Sequence, residues 1–348
     1  MQNQKLNNLN ERERSVLGHV VYNYIRTAIP VGSRLLSKRI ESQLSPATIR
    51  NVMADLEEIG YLSHPHTSAG RVPTDLGYRY YIDYLMEIEQ LSATEVQSIT
   101  NLIDQPVEAA DLLKETSRLL SKISRQLSIV SSPHLSTGIF EKLELIALSS
   151  SKILVVISIR SGLVKTVMLE VRTEMKRDTL ARVAGILNER LAGLTFQQIR
   201  DTFVERVKDV QTEQSGLVRL FIESVDQLFD DAKEREKLHV SGAQNILEQP
   251  EFIDPKNFRS VIELVENEDV IVHLLEKHEA LDKDFVITVG NENEDDLAKE
   301  YGVVTANYTI DGVSGRVGIL GPKRMNYSKV IPLVDQVAKT IARMLKAQ

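Results

Sequence analysis

The 348-residue sequence contains no cysteine and no tryptophan, and aromatic residues make up only 5% of it. Without cysteine there is no disulfide, no thiol nucleophile and no zinc site built on sulfur. This fits a reducing cytoplasm, where the protein is expected to reside. Long apolar runs are also missing. The longest, Ile153–Ile159, is broken by Ser158 and falls far short of the roughly 20 residues a membrane helix needs. Residues 1–10 are polar and lack the apolar core of a secretory signal. Basic charge is in deficit: 42 Lys+Arg stand against 49 Asp+Glu, a net charge of −7. Taken whole, that balance weighs against nucleic acid as a partner. No GxxxxGK[ST], GxGxxG or HExxH motif occurs, so phosphate-loop, dinucleotide and zincin chemistries have no anchor. Neither catalysis nor a cofactor is expected.

The acidity is not evenly spread. Residues 1–79 hold ten Lys+Arg against seven Asp+Glu, a local charge of +3, which leaves the remainder at −10. That basic head reads as a helical unit. Asn10 can cap a helix in which Val16, Leu17, Val20, Val21, Tyr24 and Ile25 recur at three-to-four spacing before Pro30. A second helix is predicted from Ser33 to Glu41. Ser45-Pro46, a cap followed by proline at the first helical position, opens a third helix that buries Ile49, Val52, Met53, Leu56 and Ile59 and closes at Gly60. Extended pieces Tyr61–Ser63 and Arg71–Pro73 flank the loop His64–Gly70. Three helices followed by a hairpin is the order of a winged helix-turn-helix.

The third helix carries the chemistry. Opposite its apolar stripe lie Ala47, Thr48, Arg50, Asn51 and Ala54. Arginine pairs bidentately with guanine, asparagine with adenine, and Thr or Ala can meet a thymine methyl. Ser45 starts the helix, and Asp55, Glu57 and Glu58 keep phosphates away from its end. Arg34, Lys38 and Arg39 on the preceding helix are candidates for phosphate contact, which sets register without reading sequence. The hairpin loop offers His64, His66, Thr67, Ser68 and Arg71 to phosphates or to a minor groove. His64 and His66 lack a third ligand, so a contact loop is a simpler reading than a metal site. Tyr78, Tyr80, Tyr81 and Tyr84 are expected to pack one domain on the next.

Beyond the head, Ser92 with Glu95 matches a capping box, and helix is predicted onward to about Val130. Strands follow at Leu143–Ser149, Ile153–Arg160 and Val164–Arg172, then a helix from about Arg177. Three more strands are expected at Phe285–Val289, Val303–Ile310 and Gly315–Leu320, and a last helix from Tyr327 to about Leu345. The simplest arrangement is one mostly antiparallel sheet covered by helices and interrupted by a largely helical insertion at about 195–283. Gly312, Gly315, Gly318 and Gly321 fall across a hairpin and do not form a phosphate loop. His273 and His278 lie on different helix faces. Glu292–Glu294 with Asp295 and Asp296 reads as a solvated acidic loop.

The stretch from Ser45 to Leu62 (SPATIRNVMADLEEIGYL), then Pro65–Asp75 (PHTSAGRVPTD) and Gly77-Tyr78-Arg79, resembles the HrcA family of bacterial heat-inducible transcription repressors. Gly321–Val334 (GPKRMNYSKVIPLV) is similar to the family's C-terminal signature. The resemblance implies an α+β protein with a winged-helix domain (1–88), a GAF-like antiparallel sheet domain in two parts (89–194 and 284–348) and a dimerisation domain inserted between them (195–283). It implies a homodimer that represses chaperone operons by binding an inverted-repeat operator, CIRCE, in double-stranded DNA, with the GroEL chaperonin as modulating partner. On the family pattern Thr48, Arg50 and Asn51 read bases and Arg71 lies on the wing. A metabolite-responsive winged-helix regulator, sensing a small ligand in the GAF-like domain, is the alternative.

Overall fold

A computed structural model of the chain describes residues 9–40, 44–65, 70–101, 109–171, 175–210, 215–229, 238–276 and 284–347. Helix α1 (Glu11–Thr27) begins with a reciprocal cap: the Asn10 side chain accepts from the Glu13 amide, and the Glu13 carboxylate accepts from the Asn10 amide. Helix α2 (Ser33–Leu36) is a single turn. The longer helix expected there, to Glu41, ends at Leu36, where the backbone tightens into a turn with the Lys38 and Arg39 amides donating to the carbonyls of Leu35 and Leu36; Glu41 lies outside the described residues. Helix α3 (Pro46–Glu58) is capped by Ser45 as its sequence predicts. Val16, Leu17, Val20 and Val21 of α1 and Ile49, Val52, Met53 and Leu56 of α3 are all buried in the core where the two helices pack. Strands β1 (Leu62–Ser63) and β2 (Val72–Pro73) form an antiparallel hairpin, and Val31 bridges Arg71 beside it.

Helix α4 (Asp75–Tyr80) leads without a break into a π-helical turn, Tyr81–Leu85. Gly77 sits where a Cβ would lie 2.2 Å from the Tyr61 carbonyl oxygen, so only glycine permits this approach of α4 to the hairpin. Helices α5 (Ala93–Thr100) and α6 (Ala109–Ser124) follow, then β3 (Leu127–Ser131). Here the structure corrects the expectation of helix to Val130. Arg125 takes left-handed φ of 54° and ends α6, and all five residues of β3 are buried between two strand neighbours. A strand covered on both faces has no alternation to distinguish it from a buried helix.

Strands β4 (Phe140–Ser149), β5 (Lys152–Ile159) and β6 (Val164–Glu170) form a separate three-stranded antiparallel sheet, followed by α7 (Arg177–Leu191), α8 (Phe196–Val207), α9 (Ser215–Glu223) and α10 (Val225–Phe229). Then come β7 (Leu238–Ser241), α11 (Ala243–Leu247), α12 (Pro255–Glu266), α13 (Glu268–Glu276), β8 (Phe285–Val289), β9 (Tyr301–Ile310), β10 (Val313–Pro322) and α14 (Tyr327–Ala347). The second sheet runs β7-β3-β10-β9-β8, antiparallel throughout.

The single sheet expected from the two β-rich blocks is therefore two. The reason lies in burial pattern. Strand β6 alternates strictly between exposed and buried positions, which suits a sheet covered on one face, whereas β3 and β10 are buried almost throughout. Helices α6 and α14 lie on one face of the five-stranded sheet; the other carries the cluster of Ile246, Phe252, Val261, Leu264, Ile271 and Leu274 from α11–α13. Because β7 pairs with β3, the 195–283 stretch is not one excursion. The excursion from the five-stranded sheet is the chain between β3 and β7, three-stranded sheet included.

Candidate nucleic-acid interface

Helix α3 shows two chemically distinct faces. Ile49, Val52, Met53 and Leu56 are buried, while Ala47, Arg50, Asn51 and Ala54, at i, i+3, i+4 and i+7, are exposed along one line. Ser45 Oγ accepts from the Thr48 amide at 3.1 Å and lies 2.9 Å from Thr48 Oγ1, so both hydroxyls serve the cap. Among the described residues, neither Arg50 nor Asn51 has a side-chain hydrogen-bond or ionic partner. Their donors and acceptors point into solvent, which is the condition a base-reading pair needs before it meets DNA. The amino-terminal end of α3 also carries the positive end of the helix dipole, about half an elementary charge.

The flanking cations divide into two groups. Arg34 and Lys38 are exposed, and their side chains make no hydrogen bond or ion pair among the described residues. Arg39 instead donates to Oδ1 of buried Asn23, whose own amide donates to the His19 carbonyl at 2.7 Å, so it pins the end of the α2 turn to α1. Arg71 is held as well. Its backbone exchanges two 2.9 Å hydrogen bonds with Val31, and its guanidinium reaches Glu57 at 2.7 Å and His64 Nδ1 at 2.6 Å. It fastens the root of the hairpin to the end of α3. His64 is exposed; His66, Thr67 and Ser68 lie outside the described residues.

A second polar cluster joins the head to the body, and sequence reasoning passed over it. Arg79 Nε donates to Glu292 Oε1 at 2.8 Å, Nη2 donates to Oε2, and Nη2 also meets the Ile287 carbonyl at 2.8 Å. Burial works to lower the Arg79 pKa, but the Glu292 bonds and charge outweigh it and raise the value. Asp75 takes a 3.1 Å ion pair from Lys323 and hydrogen bonds from the amide and side chain of Asn291. Arg324 pairs with Glu251, donates to Gln249 Oε1 at 2.9 Å, and reaches the Ile25 carbonyl at the end of α1. The acidic loop expected to be solvated is thus partly a docking element: Glu292 also accepts from the Val289 amide. The signal was present in the Gly321–Val334 motif, whose Lys323 and Arg324 are two of the clasp's cations.

Among the described residues no group of three His, Cys, Asp or Glu is placed to hold a metal, and no helix is long and apolar enough to cross a membrane.

Residues 110–331 match the family described as "HrcA protein C terminal domain". The chain is 42% identical over 347 residues to the heat-inducible transcription repressor HrcA of Chlorobium phaeobacteroides (strain BS1), covering 97% of this chain and 98% of that protein. It is 42% identical to the repressor of the same name from Chlorobium chlorochromatii (strain CaD3), covering 98% of both. A crystal structure of a hypothetical protein shares the fold over 98% of this chain and 99% of its own, with a TM-score of 0.60 at 23% identity. A full-length match to proteins of one name, with the family profile spanning the body, places the chain in the HrcA family of heat-inducible transcription repressors.

Proposed function

We propose that the protein represses heat-shock genes as a homodimer that inserts two α3 helices into the major grooves of an inverted-repeat operator of the CIRCE type. The head acts as a winged helix-turn-helix, with β1–β2 as the wing. The observation that carries this reading is the line of Ala47, Arg50, Asn51 and Ala54, solvent-facing on a helix whose other face is core. Thr48 and Ser45 set the helix start, and Arg34 and Lys38 supply phosphate contacts on one side. Arg39 and Arg71 act mainly by fixing the head's shape.

A two-fold operator calls for a two-fold protein. The open face of the β4–β5–β6 sheet supports the pairing surface: Ile146, Leu148, Val164 and Met168 are 43%, 52%, 58% and 48% exposed there, in a protein whose other sheet is covered on both faces. Its rim is charge-balanced, with Lys142 bound to Glu144 at one end and Lys152 opposite Glu170 at the other, so two copies related by a two-fold can oppose unlike charges. The GAF-like assignment goes to the five-stranded sheet with its helices. The family resemblance supports a GroEL-type chaperonin as the modulating partner.

Selection of bound duplexes from a random pool tests the central claim. The expected winner is an inverted repeat, and Arg50→Ala weakens binding to it by about 1–3 kcal/mol while relaxing preference at one base pair per half-site. Equal losses on selected and random duplexes would remove Arg50 from base reading. Added chaperonin is expected to raise operator occupancy in the same assay.

A further inference from the structure

A cavity of about 670 Å³ opens in the head between α1 and the π-helical turn, on the flank of the Asn23–Arg39 link. Its floor is apolar, formed by Gly18, Tyr81 and Leu85 with the Tyr22 ring. Polar side chains, among them Ser15, His19 and Asn23, stand around it, and its formally charged groups are cations. Arg14 and Arg39 both line it, and among the described residues no aspartate or glutamate does. Arg14 spends only Nε, on the Leu9 carbonyl, and Arg39 makes one hydrogen bond, to Asn23. A guanidinium has five N–H donors, so most of both groups stays free among the described residues. His19 Nδ1 lies 2.7 Å from the Ser15 carbonyl, to which it donates. The site is an open groove with Arg14, Tyr22 and Arg39 exposed at its rim, and an apolar floor with convergent polar groups is a form small-molecule sites take.

Two independent features set this chamber apart from a packing defect. Tyr81–Leu85 is a π-helical turn, a rare conformation that recurs at functional sites. Gly18 occupies the middle of a 17-residue helix, where glycine costs about 1 kcal/mol relative to alanine. No close approach demands it, since an added Cβ would meet nothing nearer than Leu85 Cδ1 at 3.6 Å. Glycine there keeps the floor open at a cost to the helix. We propose that the cavity binds a small apolar monocarboxylate, its hydrocarbon part over Gly18 and Leu85 and its carboxylate on Arg39 and Arg14. Occupancy engages the free donors of the arginine that ties the α2 turn to α1, next to Arg34 and Lys38.

The test is calorimetric titration of the full-length protein with benzoate and octanoate, against benzamide and octanamide as uncharged counterparts. The carboxylates are expected to bind at least tenfold more tightly than the amides. Gly18→Leu fills the chamber while improving helix propensity, so it is expected to keep or raise Tm and lose at least tenfold in carboxylate affinity; Arg39→Met is expected to lose a similar factor. Absence of carboxylate binding at millimolar concentration, equal binding of the amides, or wild-type affinity in a folded Gly18→Leu protein overturns the proposal. If Arg14 and Arg39 serve only DNA phosphates, Arg39→Met weakens duplex binding and neither carboxylate binds, which also overturns it.

Discussion

Arg79 of α4 and Glu292 of the turn after β8 meet fork to fork across 213 residues of sequence, joining head to body. Two parallel N–H···O bonds fix orientation as well as distance. Around this pair lie Asp75–Lys323, Asn291–Asp75 and Arg324–Glu251, while the Glu89 amide donates to the Ser328 carbonyl at 3.0 Å and its carboxylate accepts from the Ser328 hydroxyl at 2.7 Å. The head is docked on the turn after β8 and on residues 323–328 leading into α14, so its angle to the body is set by polar geometry.

Breaking that clasp is expected to free the head without unfolding it. Arg79→Ala removes a bidentate charged contact at side chains 19% and 36% exposed. Hydrogen bonds to charged groups contribute about 1.5–3 kcal/mol when well formed, and partial exposure places this one at the lower end. A cost of about 1–2 kcal/mol raises the undocked fraction several-fold to about thirtyfold. Faster proteolysis within residues 86–92, with the urea midpoint of the body unchanged, is the expected signature. Unaltered cleavage would show that the remaining contacts hold the head by themselves.

The cations of the head are expected to separate by salt dependence. Each phosphate contact contributes about −0.9 to the slope of log K against log salt. Lys38→Ala should therefore flatten the slope by nearly one unit. Arg71→Ala should leave it unchanged and lower stability by about 0.5–1 kcal/mol, because Arg71 is committed to Glu57 and His64. A flattened slope for Arg71→Ala would make it a phosphate contact after all.

Much of the head was legible because its signals are local. Ser45-Pro46, the stripe from Ile49 to Leu56 and the caps at Asn10 and Ser92 all act within a few residues and appear in the fold as their spacing predicts. The exception is Ile59, expected in the stripe, which is the C-cap of α3 and 50% exposed. What failed were inferences that depend on partners remote in sequence. Leu127–Ser131 has no alternation because β7 and β10 sandwich it in the sheet and helices cover both faces. The two β-rich blocks share composition, and only the strict alternation of β6 against the nearly continuous burial of β10 separates them. Arg39 and Arg71 look like free cations in sequence; their partners Asn23 and Glu57 stand 16 and 14 positions away. Charge type is readable from sequence, whereas its commitment to an internal partner is not.

The open sheet face is expected to govern assembly. Leu154 lies at its centre, directly opposite Ile146 and Met168 on the neighbouring strands. Leu154→Glu places charge in the middle of the apolar patch and touches nothing in the core beneath. Sedimentation equilibrium should show a monomer for the variant and a dimer for the wild type. Affinity for an inverted repeat should fall to that of a single half-site, with α3 intact. A dimer of undiminished strength would move the pairing surface elsewhere.

Acid should loosen α5 from α14 through one carboxylate. Glu95 is lowered from 4.5 to about 2, first by its hydrogen bond with Lys329, then by the Ser92 amide and hydroxyl, with burial opposing. The Lys329 contact is 2.5 Å, and the Ser92 amide and hydroxyl lie at 2.9 and 2.8 Å. Because the folded state holds this group deprotonated more strongly than the unfolded chain does, its contribution is complete above about pH 4.5. It is lost progressively as pH falls from 4.5 towards 2. Amide exchange in α5 should quicken over that interval relative to the β9–β10 core, and Glu95→Gln should remove the acceleration by making α5 loose at every pH. An α5 protection profile in Glu95→Gln that still falls with the wild-type slope between pH 4.5 and 2 would assign the acid sensitivity to another group.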